Sequence, residues 1–185
     1  ELSQKQGSVA IMDKSGETKE HTVQIGNRDK DHIMPAIQSL ASNLHITPTD
    51  IEMVAVSVGP GGFTGLRTSI TIAKIISLVS GAKIVAVDSA VVVAASSGLG
   101  TGPFCAVSAV KQNYFWFSFV HQEGDLWFCK SQHTKTDDFP SISSAKTLFA
   151  DTYLPPEIAN AAEHQGVPIA MVHPTAQTLL RVALP

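Results

Sequence analysis

The hydrophobic pattern changes period several times along the chain, and each change marks an element. Ser8 to Asp13 (SVAIMD) reads as a short strand leaving through the Ser15-Gly16 turn, and Lys19 to Ile25 alternates as a second strand. From Asp31 the apolar residues Ile33, Ile37 and Leu40 fall four and three apart, the spacing of a helix that runs to about Leu44. Asp31 can cap its first turn, and Pro35 stands early enough to be tolerated. Met53 to Val58 (MVAVSV) is nearly unbroken, as expected of a strand covered on both faces. After Gly59-Pro60-Gly61-Gly62 a helix is expected from about Gly65 to Ser80, stopped by Gly81. Ile84 to Val87 is another short buried strand, and Asp88 or Ser89 caps a helix through about Ser96. Strand, helix, strand, helix in the middle of the chain is the pattern of a parallel α/β layer.

Gly98 to Pro103 (GLGTGP) is a break and the natural domain boundary, giving a first lobe over 1–98 and a second over 99–185. Beyond it, Cys105 to Ala109, Tyr114 to Val120 and Leu126 to Lys130 are strand-like, with Glu123-Gly124-Asp125 as a hairpin turn. From Thr136 to Ala162 the signal is weak and rich in Pro, Ser and Asp. A last helix, capped at Thr175, carries Leu179, Leu180 and Val182.

Composition narrows the class. Of 185 residues, 44% are hydrophobic and 16% charged, the balance of a packed core and not of a disordered chain. A net charge of −3 supplies no basic field for a phosphate backbone, so strong nucleic-acid binding by this chain alone is disfavoured. No stretch reaches the ~20 apolar residues of a membrane span. Two cysteines, Cys105 and Cys129, each lie in an apolar run and make no secreted disulfide scaffold, so a cytoplasmic setting is expected. There is no signal-peptide pattern, and a start at Glu1 without methionine implies further residues upstream.

The segment with the strongest chemical signal is Val58-Gly59-Pro60-Gly61-Gly62-Phe63-Thr64-Gly65-Leu66-Arg67. Glycines and a proline between a buried strand and a helix fix an unusual backbone path, and N–H groups at a helix start can hold an anion. It is not a Walker loop, because no Gly-Lys-Ser/Thr follows, nor is its spacing that of a dinucleotide fingerprint. A structural turn and a ligand-facing loop both remain open. His32 and His173 have no second histidine, cysteine or paired carboxylate at ligand spacing and read as ordinary surface histidines. Arg67 reads either as the partner of an acidic group or anion near the loop or as an ordinary helix-surface arginine. Lys111 alone makes no base-stacking platform, and no Ser/His/Asp or Cys/His arrangement is recognisable. Trp116 and Trp127 with Phe115, Phe117, Phe119 and Phe128 make an aromatic hairpin expected in core or subunit packing.

The run GPGGFTGLR, the following TSITIAKIISLVSG, the short strand AKIVAV and the capped helix DSAVVVAA resemble the TsaB (YeaZ) family of threonylcarbamoyladenosine biosynthesis subunits. Asp31-His32-Ile33-Met34-Pro35 and His173-Pro174-Thr175-Ala176 to Ala183 resemble its first and closing helices, so the similarity covers most of the chain and weakens after Ala109. The resemblance implies an α/β fold of actin-like, sugar-kinase-like (ASKHA) type: two mixed-sheet lobes with flanking helices, here with a smaller, atypical second lobe. The family's catalytic relative, TsaD, holds a metal with a His-x-x-x-His pair; alignment places Ser89 and Val93 there, and neither can ligate. Two further departures stand out. The family's first strand, ending in Asp-Thr-Ser, would precede Glu1. The usual Asp-Ala-Arg and Glu-Val-Tyr stretches are replaced by Ser108-Ala109-Val110 and Asn113-Tyr114-Phe115.

The helix over Gly65 to Ser80 is apolar nearly all round, with Arg67 and Lys74 as its only charges, and must be covered on most sides. At ~1.5 Å per residue it spans about 24 Å, enough for half a helical interface. The expected function is therefore a non-catalytic scaffold subunit with no cofactor, metal or catalytic residue. It would bind a TsaD-type transferase, or a second copy of itself, through Ile33, Ile37, Leu40, Arg67, Ser69, Ile72, Ala73 and Ile76 around the loop Gly59, Pro60, Gly61, Gly62, Phe63, Thr64, Gly65. A TsaE-type ATPase would be an indirect partner and tRNA would be met only through the complex. The alternative is an enzyme of the same superfamily, a nucleotide-dependent transferase or an M22-type metallopeptidase-like protein.

Overall fold

The computed structural model describes residues 1–24 and 33–184. Along the chain run β1 (Gln6–Met12), β2 (Thr18–Gln24), α1 (Ile33–Asn43), β3 (Met53–Ser57), α2 (Phe63–Ser80), β4 (Lys83–Val87), α3 (Ser89–Ser96), β5 (Phe104–Lys111), β6 (Tyr114–Glu123), β7 (Leu126–Lys135), β8 (Thr147–Ala150), α4 (Pro156–His164), β9 (Ile169–Met171) and α5 (Ala176–Ala183). The expected cap at Asp31, His32 and the end of the second strand at Ile25 lie outside the described residues. The chain forms two compact units, Glu1–Val92 with Pro174–Pro185, and Val93–His173.

In the first unit β1 and β2 form an antiparallel hairpin, and β3 pairs in parallel with β4. The Asp13 carboxylate closes the hairpin turn by accepting from the Ser15 and Glu17 N–H groups at 2.9 and 2.8 Å, a local side-chain turn that needs no glycine at its first corner. Helix α2 begins two residues earlier than expected, at Phe63, and ends where expected: Gly81 adopts φ 77° and its N–H returns to the Ser77 carbonyl at 2.8 Å. Thr175 caps α5 as predicted, its hydroxyl accepting from the Thr178 N–H.

Two expectations change here. Met53 to Val58 was expected to be buried on both faces, but Met53, Val54 and Ala55 are half-buried, and among the described residues β3 pairs with β4 alone. The closing helix was placed in the second lobe, yet it returns to the first. The Ala176 N–H donates to the buried Ser8 hydroxyl at 2.8 Å and the Gln177 N–H to a Glu20 carboxylate oxygen at 3.1 Å. These bonds satisfy two N–H groups that the first turn of α5 cannot satisfy itself. The division between units falls inside α3, after Val92, and not at Gly98.

The second unit is a five-stranded mixed sheet in the order β7-β6-β5-β8-β9, antiparallel from β7 to β5 and parallel from β5 to β9. The aromatic hairpin resolves by alternation. Phe115 and Phe117 enter the core with Cys105, Val107, Leu148 and Ile158, while Trp116 and Tyr114 point to the opposite, half-exposed face. The stretch that read as weak, Thr136 to Ala162, contains β8 and most of α4. Its first element is four residues long and buried throughout, too short to display a period. Its helix opens on Pro156 at the first position, where proline fits because no intrahelical N–H is required.

Neither cysteine is joined in a disulfide; Cys105 is buried and Cys129 half-buried. Burial pushes the Cys105 thiol up to about 12, so it stays protonated and unreactive in the folded protein. Iodoacetamide at pH 8 is expected to alkylate the half-buried Cys129 and spare Cys105 until the chain is unfolded; mass spectrometry of the native and urea-treated protein checks this, and early labelling of Cys105 would contradict its place in the core.

Candidate functional site

The glycine-rich segment is held by three separate ties. The peptide Gly59-Pro60 is cis, and Gly59 adopts φ 106°, a region that strains any side chain. Its N–H donates to the Ser89 hydroxyl at 3.0 Å and its carbonyl accepts from the Ser89 N–H at 2.8 Å, so Ser89 clasps the loop with both its side chain and its backbone. The Gly62 N–H donates to the Ser3 carbonyl at 2.6 Å. Ser3 crosses so near that a Cβ on Gly61 would lie 2.6 Å from that same carbonyl oxygen. Backbone approach thus requires glycine at 61 and the positive φ favours it at 59, and the N–H groups of Gly59 and Gly62 are already occupied by the protein. That is the geometry of a structural turn more than of an anion cradle.

Ser89 was expected as a helix cap and as one of the positions of the relative's metal pair. It is buried and committed to Gly59, and Val93 is a buried hydrocarbon. Among the described residues no cluster of three His, Cys, Asp or Glu side chains could hold a metal.

From this turn α2 runs with Gly65, Ser69 and Ala73 buried, small residues four apart that let it lie close on β3 and β4. Ile72 and Ile76, with Ile33 and Ile37 of α1, line an apolar groove inside the first unit. Leu40, Ser69 and Ala73 are buried within the chain itself and are withdrawn as surface contacts; their helical phase points them at the sheet. The outward stripe is a different set. Phe63, Arg67, Thr71, Ile75 and Leu78 recur at helical spacing, with Val79 beside them. Phe63 is 72% exposed, Ile75 55%, Leu78 86% and Val79 70%. Of the expected contact residues, Arg67 alone lies on this stripe, its guanidinium 5.1 Å from the centre of the Phe63 ring. The phase could have been set from sequence by turning Gly65, Ser69 and Ala73 toward the sheet, which leaves Phe63, Ile75 and Leu78 outside.

A family model described as TsaD, tRNA N6-adenosine threonylcarbamoyltransferase, matches residues 26–172. The tRNA threonylcarbamoyladenosine biosynthesis protein TsaB of Buchnera aphidicola subsp. Schizaphis graminum is 45% identical over 60 residues, covering 32% of this chain and 25% of that protein. TsaB of Escherichia coli K12 is 25% identical over 123 residues, covering 65% of this chain and 53% of that protein. The chain belongs to this family, in its TsaB (YeaZ) branch.

YeaZ from Pseudomonas aeruginosa superposes with a TM-score of 0.76 at 16% identity, over 98% of this chain and 87% of that one. The crystal structure of an uncharacterized protein with similarity to peptidase YeaZ from Pseudomonas aeruginosa gives 0.78 over the same shares, also at 16% identity. The fold is therefore the actin-like ASKHA type expected for the TsaB branch. The chain spans between a quarter and about half the length of the TsaB sequences it matches.

The Ser89 clasp predicts the cost of losing it. Ser89→Ala leaves the buried Gly59 N–H without its acceptor, a loss of about 1–3 kcal/mol, read as a fall in melting temperature of about 2–4 °C per kcal/mol. Calorimetry that found Ser89→Ala unchanged would show the loop to be held by other means.

Proposed function

We propose that this chain acts in tRNA threonylcarbamoyladenosine biosynthesis as a scaffold subunit, presenting the outer stripe of α2 to a TsaD-type transferase. The supporting observation is the stripe itself. Four large apolar side chains, each more than half exposed, follow one another down a single helix whose only charges are Arg67 and Lys74. Isolated exposed apolar residues are ordinary, but Ile75, Leu78 and Val79 adjoin one another at the end of the helix, and such a patch is the signature of a surface meant to be covered. The names of the related proteins supply the pathway, and the occupied N–H groups of the glycine turn favour a structural role for that segment over nucleotide binding. The same stripe serves a second copy of the chain when the transferase is absent. Contact with a TsaE-type ATPase and with tRNA follows through the assembled complex, in keeping with the acidic balance of this chain.

The alternative, a superfamily enzyme acting by itself, needs a ligand in the turn. The two readings separate by nucleotide titration of the isolated chain, where the scaffold reading expects no saturable binding.

Leu78→Glu places a charge in the apolar end of the stripe, beside Ile75 and Val79, at a side chain that is 86% exposed. Co-purification with the TsaD-type subunit is expected to drop at least tenfold, with the circular dichroism and melting temperature of the isolated chain unchanged. Ile76→Glu, two residues earlier but facing the internal groove, is expected to lower the melting temperature instead. Undiminished association of Leu78→Glu would remove α2 as the contact surface.

A further inference from the structure

The sheet of the second unit ends on a strand with one partner. Among the described residues β7 pairs with β6 alone, so its far edge runs for ten residues along the border of the sheet. Which main-chain groups stand on that edge follows from one bond. Asn113 and Thr136 continue the β6–β7 register, and the Thr136 N–H donates to the Asn113 carbonyl at 2.9 Å. Opposed residues of an antiparallel pair alternate between bonded and non-bonded, so the even-numbered residues of β7 bond to β6. Trp127, Ser131, His133 and Lys135 therefore turn their main chain outward, each with an N–H donor and a C=O acceptor.

The side chains along this edge fall into two halves. Near the hairpin turn Leu126 is 67% exposed and Phe128 43%. Further along, Lys130, Gln132, His133 and Lys135 are exposed. Among the described residues neither lysine meets a carboxylate, and no acidic residue stands between Leu126 and Lys135. The Lys135 ammonium lies 5.9 Å from the centre of the Tyr114 ring, on the face opposite the core. Lys130, five positions earlier, belongs to the other face by alternation.

We propose that the free edge of β7 receives an extended acidic peptide from another protein, added antiparallel to β7 as a further strand of the sheet. Main-chain pairing supplies the affinity and the two lysines choose the partner. Carboxylates fall opposite Lys135 and Lys130, one on each face, and uncharged residues fall opposite Phe128 and Leu126. Two other occupants fit the edge less well. A second copy of this chain offers its own β7, which brings lysine against lysine and no carboxylate. A single-stranded nucleic acid brings phosphates to the lysines but sets them against the outward carbonyl oxygens as well. The rings it would stack on are also engaged, since Tyr114 and His133 lie face to face with centres 5.1 Å apart.

The test uses the whole chain and the decapeptide Glu-Thr-Val-Thr-Val-Glu-Thr-Val-Thr-Val, whose glutamates fall opposite Lys135 and Lys130. Hydrogen exchange is read at the Trp127, Ser131, His133 and Lys135 amides. At least tenfold slower exchange at all four is expected at saturating peptide, and no protection would overturn the proposal. A peptide with lysine in place of both glutamates is expected to leave the unaltered chain unprotected and to protect the Lys130→Glu/Lys135→Glu double variant instead. N-methylation at the third and fifth residues removes two N–H groups aimed at β7 and leaves the charge unaltered, so it is expected to abolish protection. Equal protection by the methylated peptide would rule out strand addition, and equal protection by the lysine peptide would rule out selection for acid. Slow exchange on concentrating the chain alone would assign the edge to a second copy. Protection by oligothymidylate equal to that by the acidic peptide would assign it to nucleic acid, and either result overturns the proposal. All four amides lie in the second unit, so the outcome is independent of whether α2 binds a transferase.

Discussion

The position of α2 depends on a short set of backbone hydrogen bonds around one turn. Gly59 is held from one side by Ser89 and Gly62 from another by Ser3. These contacts need backbone to approach backbone at distances no β-carbon would tolerate, so glycine at 61 is a steric requirement. Once the turn is fixed, the phase of the helix that leaves it is fixed too: Gly65, Ser69 and Ala73 meet the sheet and the larger residues go outside. A loop rich in glycine is often taken as a sign of flexibility or of phosphate binding. Here its glycines serve closeness, and the result is a rigid origin for an apolar helix.

Much of the fold is legible in the amino-acid sequence, for identifiable reasons. Long segments with a clear period, such as Phe63–Ser80 and the β6–β7 hairpin, announce themselves, and their stops at Gly81 and Gly124 follow from the left-handed conformation those glycines adopt. The parallel pairing of β3 with β4 follows from the strand–helix–strand order. The elements that escaped, β8, α4 and β9, are short and depend on tertiary contacts; four buried residues such as Thr147–Ala150 carry no periodic signal at all.

The candidate surface was legible as an excess of apolar residues but not in its phase. Nearly every position of α2 is apolar or small, so composition could not tell Ala73 from Leu78, and only docking against β3 and β4 separates them. Ser69 and Ala73 prove interior for that reason, while Leu40 is buried on α1, which packs on the β1–β2 hairpin. The return of α5 to the first unit is invisible to local pattern because its ties, from Ala176 to Ser8 and from Gln177 to Glu20, join residues more than 150 positions apart.

The sheet of the second unit ends on two very different borders. One is β9, three residues long, which offers little for another chain to pair with. The other is β7, ten residues long and paired on one side only, the kind of border that invites runaway stacking between molecules. Its side chains answer that hazard: Lys130, Gln132 and Lys135 are exposed along it, and a neighbouring strand laid in register would have to bring further lysines against them. On this border lysine and glutamine thus stand toward one end, against the exposed Leu126 and Phe128 at the other, so an intruding strand meets charge along part of its length.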